Sequence, residues 1–251
     1  MKRITAIITI IATCAAIALA QKQTSPSDVT MQFYNALKDR RYVEGFRFSV
    51  YRGALEGLSE SELKELEEDF ARSFSGLPDK IEPRGEQVTG ETATVFLKFD
   101  GIESLQQVAL IKVAGEWLVG DQESLALVKS QGRAYFFNAR IEANEEEAFD
   151  MLQRIISVQW IYSQKYEGRY ASLEELIKLS GLPRHLEGGQ SGGYRFALNL
   201  SEDGKSFFAT ATPEIYSKTG RLSFYADISG VRAADLKGQT ASAKSPAYKP
   251  K

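Results

Sequence analysis

The chain has 251 residues, enough for one large domain or two small ones, and its 43% hydrophobic and 25% charged residues are ordinary for a globular protein. The formal net charge of -2 excludes a strongly basic surface, so we expect no nucleic-acid partner and no acidic-lipid surface. Cys14 is the only cysteine, which excludes an intrachain disulfide framework.

Residues 1–20 have the pattern of a secretory signal peptide. Lys2 and Arg3 are followed by an apolar run from Ile4 to Leu19, and Ala18-Leu-Ala20 matches a cleavage site. A run of this length is shorter than the roughly 20 residues that a membrane helix needs. We therefore expect an exported protein, periplasmic or extracellular, with no membrane span in the mature chain.

Two alternatives for this segment stay open. The apolar run would act as an N-terminal anchor if it were not cleaved. Cys14 would carry a lipid if residues 11–14 were a lipoprotein signal, although Thr13 departs from the small residue expected before such a cysteine. Cleavage after Ala20 would leave a mature chain without thiol chemistry.

Residues 24–121 begin with helical patterns. Ser25, Pro26 and Asp28 form a helix start, and an apolar stripe follows it. Ser59-x-x-Glu62 is a capping box before a second stripe, which ends near Gly76-Leu-Pro78.

The apolar residues then alternate with other residues, at every second position. Alternation over residues 93–99 predicts a strand, residues 104–113 predict another, and Ala114-Gly115 predicts a tight turn into residues 116–119. Helices followed by an antiparallel meander indicate an α+β domain.

This order resembles the NTF2-like (cystatin-like cone) superfamily. The resemblance is carried by Val29-x-x-x-Phe33-Tyr-x-Ala36-Leu37 and by Gly115-Glu-Trp-Leu-Val-Gly-Asp121. It implies a curved sheet with a pocket and no particular chemistry. The polar or aromatic candidates for that pocket are Tyr34, Tyr42, Glu44, Tyr51, Asp100 and Trp117. A lone carboxylate there would act as a base, whereas tyrosines at helical spacing are more often core residues.

Residues 122–142 are predicted to be a junction. Tyr135-Phe-Phe137 is too apolar for a flexible linker, and residues 133–141 fit either a last strand or the start of the next helix. Residues 145–166 predict a helix whose apolar arcs include Met151, Ile155 and Trp160, so we expect a spine wrapped by other elements.

Residues 143–236 continue from that spine into a small sheet. Ser172-x-x-Glu175 starts a short helix, and residues 194–200, 206–212 and 222–227 predict strands. The tail, residues 237–251, is rich in Ser, Ala, Lys and Pro, and we expect it to be disordered.

Several motifs in this half are similar to the head domains of bacterial type IV pilins and pseudopilins. They are Ala139-Arg-Ile-Glu-Ala-Asn-Glu-Glu-Glu-Ala148, Tyr166-x-Gly-Arg-Tyr170, Gly193-Tyr-Arg-Phe196, Ala209-Thr-Ala-Thr-Pro213 and Ser223-Phe-Tyr-x-Asp227. The resemblance implies a spine helix packed on an antiparallel sheet. Residues 1–20 lack the pilin leader motif, so it implies a head reused as a soluble module more than a filament subunit.

Residue types that carry catalysis are sparse. His185 is the only histidine, which argues against zinc and Ser-His-Asp chemistry, although a Ser-Lys arrangement stays open. We attribute the acidic cluster to the first turn of the spine helix, where the dipole favours acids; its members are Glu142, Glu145, Glu146, Glu147 and Asp150. We therefore predict no catalytic residue, no cofactor and no metal site.

Three functions fit these patterns. The preferred one is an exported, non-enzymatic binding or interaction protein of the bacterial cell envelope. The alternatives are a small-molecule carrier or isomerase-type enzyme that uses the NTF2-like pocket, and an accessory component of a type IV pilus or type II secretion assembly. The expected partners are envelope proteins, met through exposed edge strands, or a small apolar ligand.

Overall fold

A computed structural model of the protein describes residues 24–250. The predictions for residues 1–20, including Cys14, lie outside this range. The fold is α+β, as predicted, and both of its sheets are antiparallel throughout.

The N-terminal half places four helices before a four-stranded sheet of order β1-β2-β3-β4. Its elements are α1 (Pro26–Lys38), α2 (Tyr42–Phe46), α3 (Arg52–Leu55), α4 (Glu60–Ser73), β1 (Ile81–Thr89), β2 (Thr92–Phe99), β3 (Gln106–Val113) and β4 (Glu116–Val119). Ser25 and Ser59 both form the capping boxes that start α1 and α4, as the sequence predicts.

The C-terminal half packs a long helix on a five-stranded sheet of order β5-β6-β7-β8-β9. Its elements are α5 (Gln122–Gln131), α6 (Tyr135–Lys165), α7 (Leu173–Lys178), β5 (Gln190–Ser191), β6 (Tyr194–Leu200), β7 (Phe207–Pro213), β8 (Leu222–Asp227) and β9 (Gly230–Asp235). Each half has its own buried core: Leu97, Leu110 and Phe46 belong to the first, and Leu152, Tyr194 and Phe224 to the second.

The helix α6 begins ten residues before the predicted spine. Residues 135–141 are therefore helical, and α5, which joins α6 through a short 3-10 turn, fills the segment predicted as a junction. Met151 and Ile155 are buried as expected, but Trp160 is 55% exposed because no element covers its side of α6.

The earlier start of α6 also corrects the explanation of the acidic cluster. Glu145 lies about three turns into α6, beyond the reach of the dipole at the helix start. Its Oε1 instead accepts hydrogen bonds from the backbone N–H groups of Arg221 and Leu222, at 2.8 and 3.0 Å. Glu147 accepts one from the Ser191 hydroxyl at 3.1 Å. Glu145 and Glu147 therefore hold the start of β8 and the short strand β5 against α6.

The tail is ordered over residues 237–250, so the prediction of disorder is wrong there. It turns back along β9, where the Ala233 N–H donates to the Pro246 carbonyl and the Tyr248 N–H donates to the Val231 carbonyl, both at 3.0 Å. The Tyr248 ring packs against Phe149 and Phe224. The tail thereby covers the outer edge of β9, whereas we expected the edge strands of both sheets to be exposed partner surfaces.

Candidate ligand-binding cavity

The six residues predicted to line one pocket lie in different places. Between the first sheet and the helices, buried side chains such as Phe33, Leu97 and Leu110 fill the space. Tyr34 packs there against Phe33 and Phe99.

Trp117 is buried at a groove of about 650 Å³ that Arg47 and Arg52 also line. Tyr42 and Glu44 border another groove together with Lys64, and Asp100 is an exposed residue after β2. Tyr51 alone of the six reaches the cavity described next, so the predicted set does not form a site.

A cavity of about 390 Å³ lies between α4 and the first three turns of α6, and we refer to it as the α4–α6 cavity. Its apolar walls are Phe33, Phe46, Leu66, Phe70, Phe74 and Phe136. The ring of Phe136 is 5.0 Å from that of Phe46 and 4.9 Å from that of Phe70, measured between centroids. Four helices, α1, α2, α4 and α6, therefore present aromatic rings to one space.

Helical periodicity places these side chains. Leu66, Phe70 and Phe74 recur every fourth residue, so they share one face of α4. On α6 the corresponding face carries Phe136 and, at the rim of the cavity, the exposed Ala139 and Ala143. Because alanine side chains are short, they leave the mouth of the cavity open.

One buried cation borders the cavity. The side chain of Arg140 is 10% exposed, and its Nε and Nη1 donate at 2.6 Å to carboxylate oxygens of Asp69 and Glu65. Its Nη2 donates to the Glu65 carbonyl at 3.2 Å, and its guanidinium lies 5.4 Å from the centre of the Phe137 ring. Every nitrogen of the guanidinium thus has a partner.

Hydrogen bonds in this cluster favour the charged forms of Glu65 and Arg140. Burial opposes ionisation of Glu65, but the hydrogen bonds from Arg140 and Lys218 outweigh it and hold the pKa of Glu65 below its ordinary value. Burial likewise opposes the charge on Arg140, while Glu65 and Asp69 raise its pKa. The arrangement is an ion-pair network, with no proton to exchange near neutral pH.

Two tyrosines close one side of the cavity. The rings of Tyr51 and Tyr135 are 5.5 Å apart, and burial together with Tyr51 raises the pKa of Tyr135 to about 12. Tyr135 is therefore a neutral phenol under physiological conditions.

These groups support binding better than catalysis. Asp69 is the one carboxylate among the described residues that line the cavity, and it is held by Arg140. His185 is exposed on a short 3-10 turn and does not line it. A general acid or base needs a free group beside the ligand, and the hydrogen bond from Arg140 occupies Asp69.

Sequence reasoning missed this cavity because part of its wall, Tyr135, Phe136, Ala139 and Arg140, lies in residues 122–142, which we expected to be a junction. The available signal was the spacing of Phe136, Arg140 and Ala143, which fits one helical face.

Comparison with protein-family models, with curated proteins and with solved structures finds no match to the chain. Over residues 24–250, no helix has the length and apolar character to cross a membrane. Over the same range, no group of three or more His, Cys, Asp or Glu residues is placed to hold a metal ion.

Proposed function

We propose that the chain is an exported, non-enzymatic binding protein of the bacterial cell envelope, and that the α4–α6 cavity takes a small, mainly apolar ligand. The observation that carries this proposal is the cavity itself: about 390 Å³ with aromatic walls and a lining surface that is mostly apolar. Small-molecule sites in proteins typically have this size range and this wall chemistry, with a few polar groups that fix orientation.

The rest of the proposal concerns export from the cytoplasm and the families to which the two halves of the chain belong. The basic start and apolar run of residues 1–20 support export. The packing of α6 on β7, β8 and β9 supports the pilin-like interpretation of residues 143–236, and helices before an antiparallel sheet support the NTF2-like one for residues 24–121. Both family assignments are part of the proposal.

An isomerase-type enzyme is the less favoured alternative. Such a reaction needs a free acid or base beside the ligand, and Asp69 and Arg140 pair with each other instead. A role in pilus or secretion assembly is a third alternative, which co-purification of pilins with the protein would favour.

The cavity is tested with N-phenyl-1-naphthylamine, a neutral dye whose fluorescence rises in apolar surroundings. We expect saturable binding to the purified protein. In Ala143→Leu the larger side chain fills the mouth, and affinity should fall about tenfold or more, which corresponds to about 1.4 kcal/mol. Leucine and alanine have similar helix propensities, so α6 should be unaffected.

The matched control is Ala126→Leu, which makes the same exchange at an exposed position of α5 outside the cavity. Its affinity should stay within about twofold of the unmodified protein. No saturable binding, or equal loss in both variants, would refute the cavity as the binding site.

Export is tested separately by fractionating bacterial cells that express the chain. We expect the protein outside the cytoplasm with Gln21 as its first residue. Recovery of the intact chain in the cytosol would refute export while leaving the binding result unaffected.

A further inference from the structure

We infer that the ligand of the α4–α6 cavity is an uncharged molecule with a planar apolar ring system. This inference rests on the proposed function and specifies the chemical class that the site accepts. It follows from the shape of the walls and from the pairing of every buried charge beside them.

The walls suit a flat ring. Phe46, Phe70 and Phe136 form a triangle with centroids 4.9 to 5.0 Å apart, and their planes are inclined to one another by 44 to 77°. Phe46 and Phe70 are nearly fully buried by this packing, so the ring surface left to a guest comes from the partly exposed Tyr51, Phe74, Tyr135 and Phe136. Aromatic pairs prefer such offset or edge-to-face contacts, each worth about 0.5–1.5 kcal/mol beyond the area buried.

The interior has no free charge to meet a charged guest. Arg140 is the buried cation, and its three nitrogens already donate to Asp69 and Glu65. An anionic ligand would add a third negative charge beside the two carboxylates that Arg140 already neutralises, and a charge without a full partner in an apolar cavity is strongly disfavoured. A cationic ligand would have to compete with Arg140 for the same carboxylates.

The rim does not supply the missing charge. Arg72 lines the mouth, but its side chain is 63% exposed and its Nη2 is 3.7 Å from Asp69. Water screens exposed ion pairs, which are worth at most about 1 kcal/mol. Arg72 therefore gives little preference for an anion held inside.

Tyr51 and Tyr135 supply the polar groups that a neutral guest needs. Both line the cavity, and burial keeps Tyr135 protonated. The two tyrosine side chains hydrogen-bond to each other. A phenol is both donor and acceptor, so the pair keeps a group that can bond to a carbonyl, ether or amine on the ligand's ring without bringing in a charge.

Two dyes with one ring system test the inference on the purified protein. N-phenyl-1-naphthylamine is neutral, and 1-anilinonaphthalene-8-sulfonate is nearly the same molecule with an added sulfonate. For each dye, the fluorescence that is lost in Ala143→Leu and kept in Ala126→Leu reports binding in the cavity. Fluorescence that both variants keep reports binding to other surfaces. We expect the neutral dye to bind at least about tenfold more tightly at this site.

Arg72→Gln gives a second readout. The ratio of the two dyes' affinities for the cavity should stay within about twofold of its value in the unmodified protein, because the binding of the sulfonate should not depend on Arg72. Equal or tighter binding of the sulfonate in the cavity, or its loss in Arg72→Gln, would overturn the inference and leave the proposed function intact. Failure of both dyes to bind a folded protein would overturn the proposed function and the inference with it.

Discussion

The Glu65 carboxylate accepts a hydrogen bond from Arg140 at 2.6 Å, and its other oxygen lies 2.9 Å from Nζ of Lys218. Arg140 belongs to α6, and Lys218 lies between β7 and β8. One side chain of α4 therefore connects the helices of the N-terminal half to the second sheet. The same contact fixes α6 beside α4, which defines the α4–α6 cavity.

Removal of the cation from this network should destabilise the fold. Arg140→Met keeps the length of the side chain but leaves Glu65 and Asp69 without their shared partner. Loss of one partner of a buried pair costs 3–5 kcal/mol; because these carboxylates are 31% and 22% exposed, we expect about 2 kcal/mol. Urea unfolding followed by circular dichroism measures it.

The matched control is Arg72→Met on the same cluster. The Arg72 side chain is 63% exposed and lies 3.7 Å from Asp69, so we expect a change below about 0.5 kcal/mol. Similar losses in the two variants would show that burial of Arg140 is not what stabilises the network.

Local sequence signals predicted much of the fold. Ser25, Ser59 and Ser172 each accept the expected backbone hydrogen bond at the start of a helix. Three strands of the second sheet, β6, β7 and β8, also lie where alternation predicted them, whereas β5 and β9 were not predicted. These features depend on residues three or four apart, which the sequence displays directly.

The missed features depend on distant or weak contacts. β1 carries Pro83 and Gly85 at a register shift and is mostly exposed at the sheet edge, so it lacks apolar alternation. The cavity requires the contact of Arg140 with Glu65, 75 positions apart. The Ser, Ala, Lys and Pro content of the tail suggested disorder. The contacts of Tyr248 with Phe149 and Phe224, which hold the tail, cannot be deduced from composition.

Gln159 should be essential to the second core. Its side chain is fully buried in α6, accepts a hydrogen bond from the Ala171 N–H at 2.9 Å and donates one to the Ala171 carbonyl at 2.7 Å. Gln159→Leu keeps the volume but leaves both backbone groups unpaired. We expect a loss of about 3 kcal/mol in urea unfolding and faster hydrogen exchange at the Ala171 amide.

Gln153→Leu is the control for this exchange, because Gln153 is exposed on the same helix. It should change the free energy of unfolding by less than about 0.5 kcal/mol. Unchanged exchange at Ala171 in Gln159→Leu would show that another group replaces the lost bonds.

Gly220 should not tolerate a side chain. A Cβ there would contact the Tyr194 hydroxyl and lie 2.5 Å from its Cζ, and the fully buried Tyr194 hydroxyl donates to the Leu222 carbonyl at 2.8 Å. Because Tyr194 has no free space, Gly220→Ala should cost about 3 kcal/mol through overpacking and a disturbed hydrogen bond. Thermal unfolding measures this cost.

Gly188→Ala is the control in the same half of the chain. No atom lies within 4 Å of a Cβ built at Gly188, so the exchange should be nearly neutral. Equal melting temperatures for Gly220→Ala and the unmodified protein would mean that Tyr194 moves without cost.

Glu62 should make part of the stability depend on pH. Hydrogen bonds from the Ser59 N–H and hydroxyl, and then from Arg133, lower the pKa of Glu62 from 4.5 to about 2. Folding therefore favours the charged carboxylate, so its contribution to stability is complete above pH 4.5 and disappears as the pH falls towards 2.

The gap in melting temperature between the unmodified protein and Glu62→Gln should be widest near pH 7 and narrow steadily below pH 4.5. Glu68→Gln, an exchange at an exposed position in the middle of α4, is the matched control. A gap for Glu62→Gln that stays constant down to pH 2.5 would mean that the cap acts through geometry alone and not through the charge.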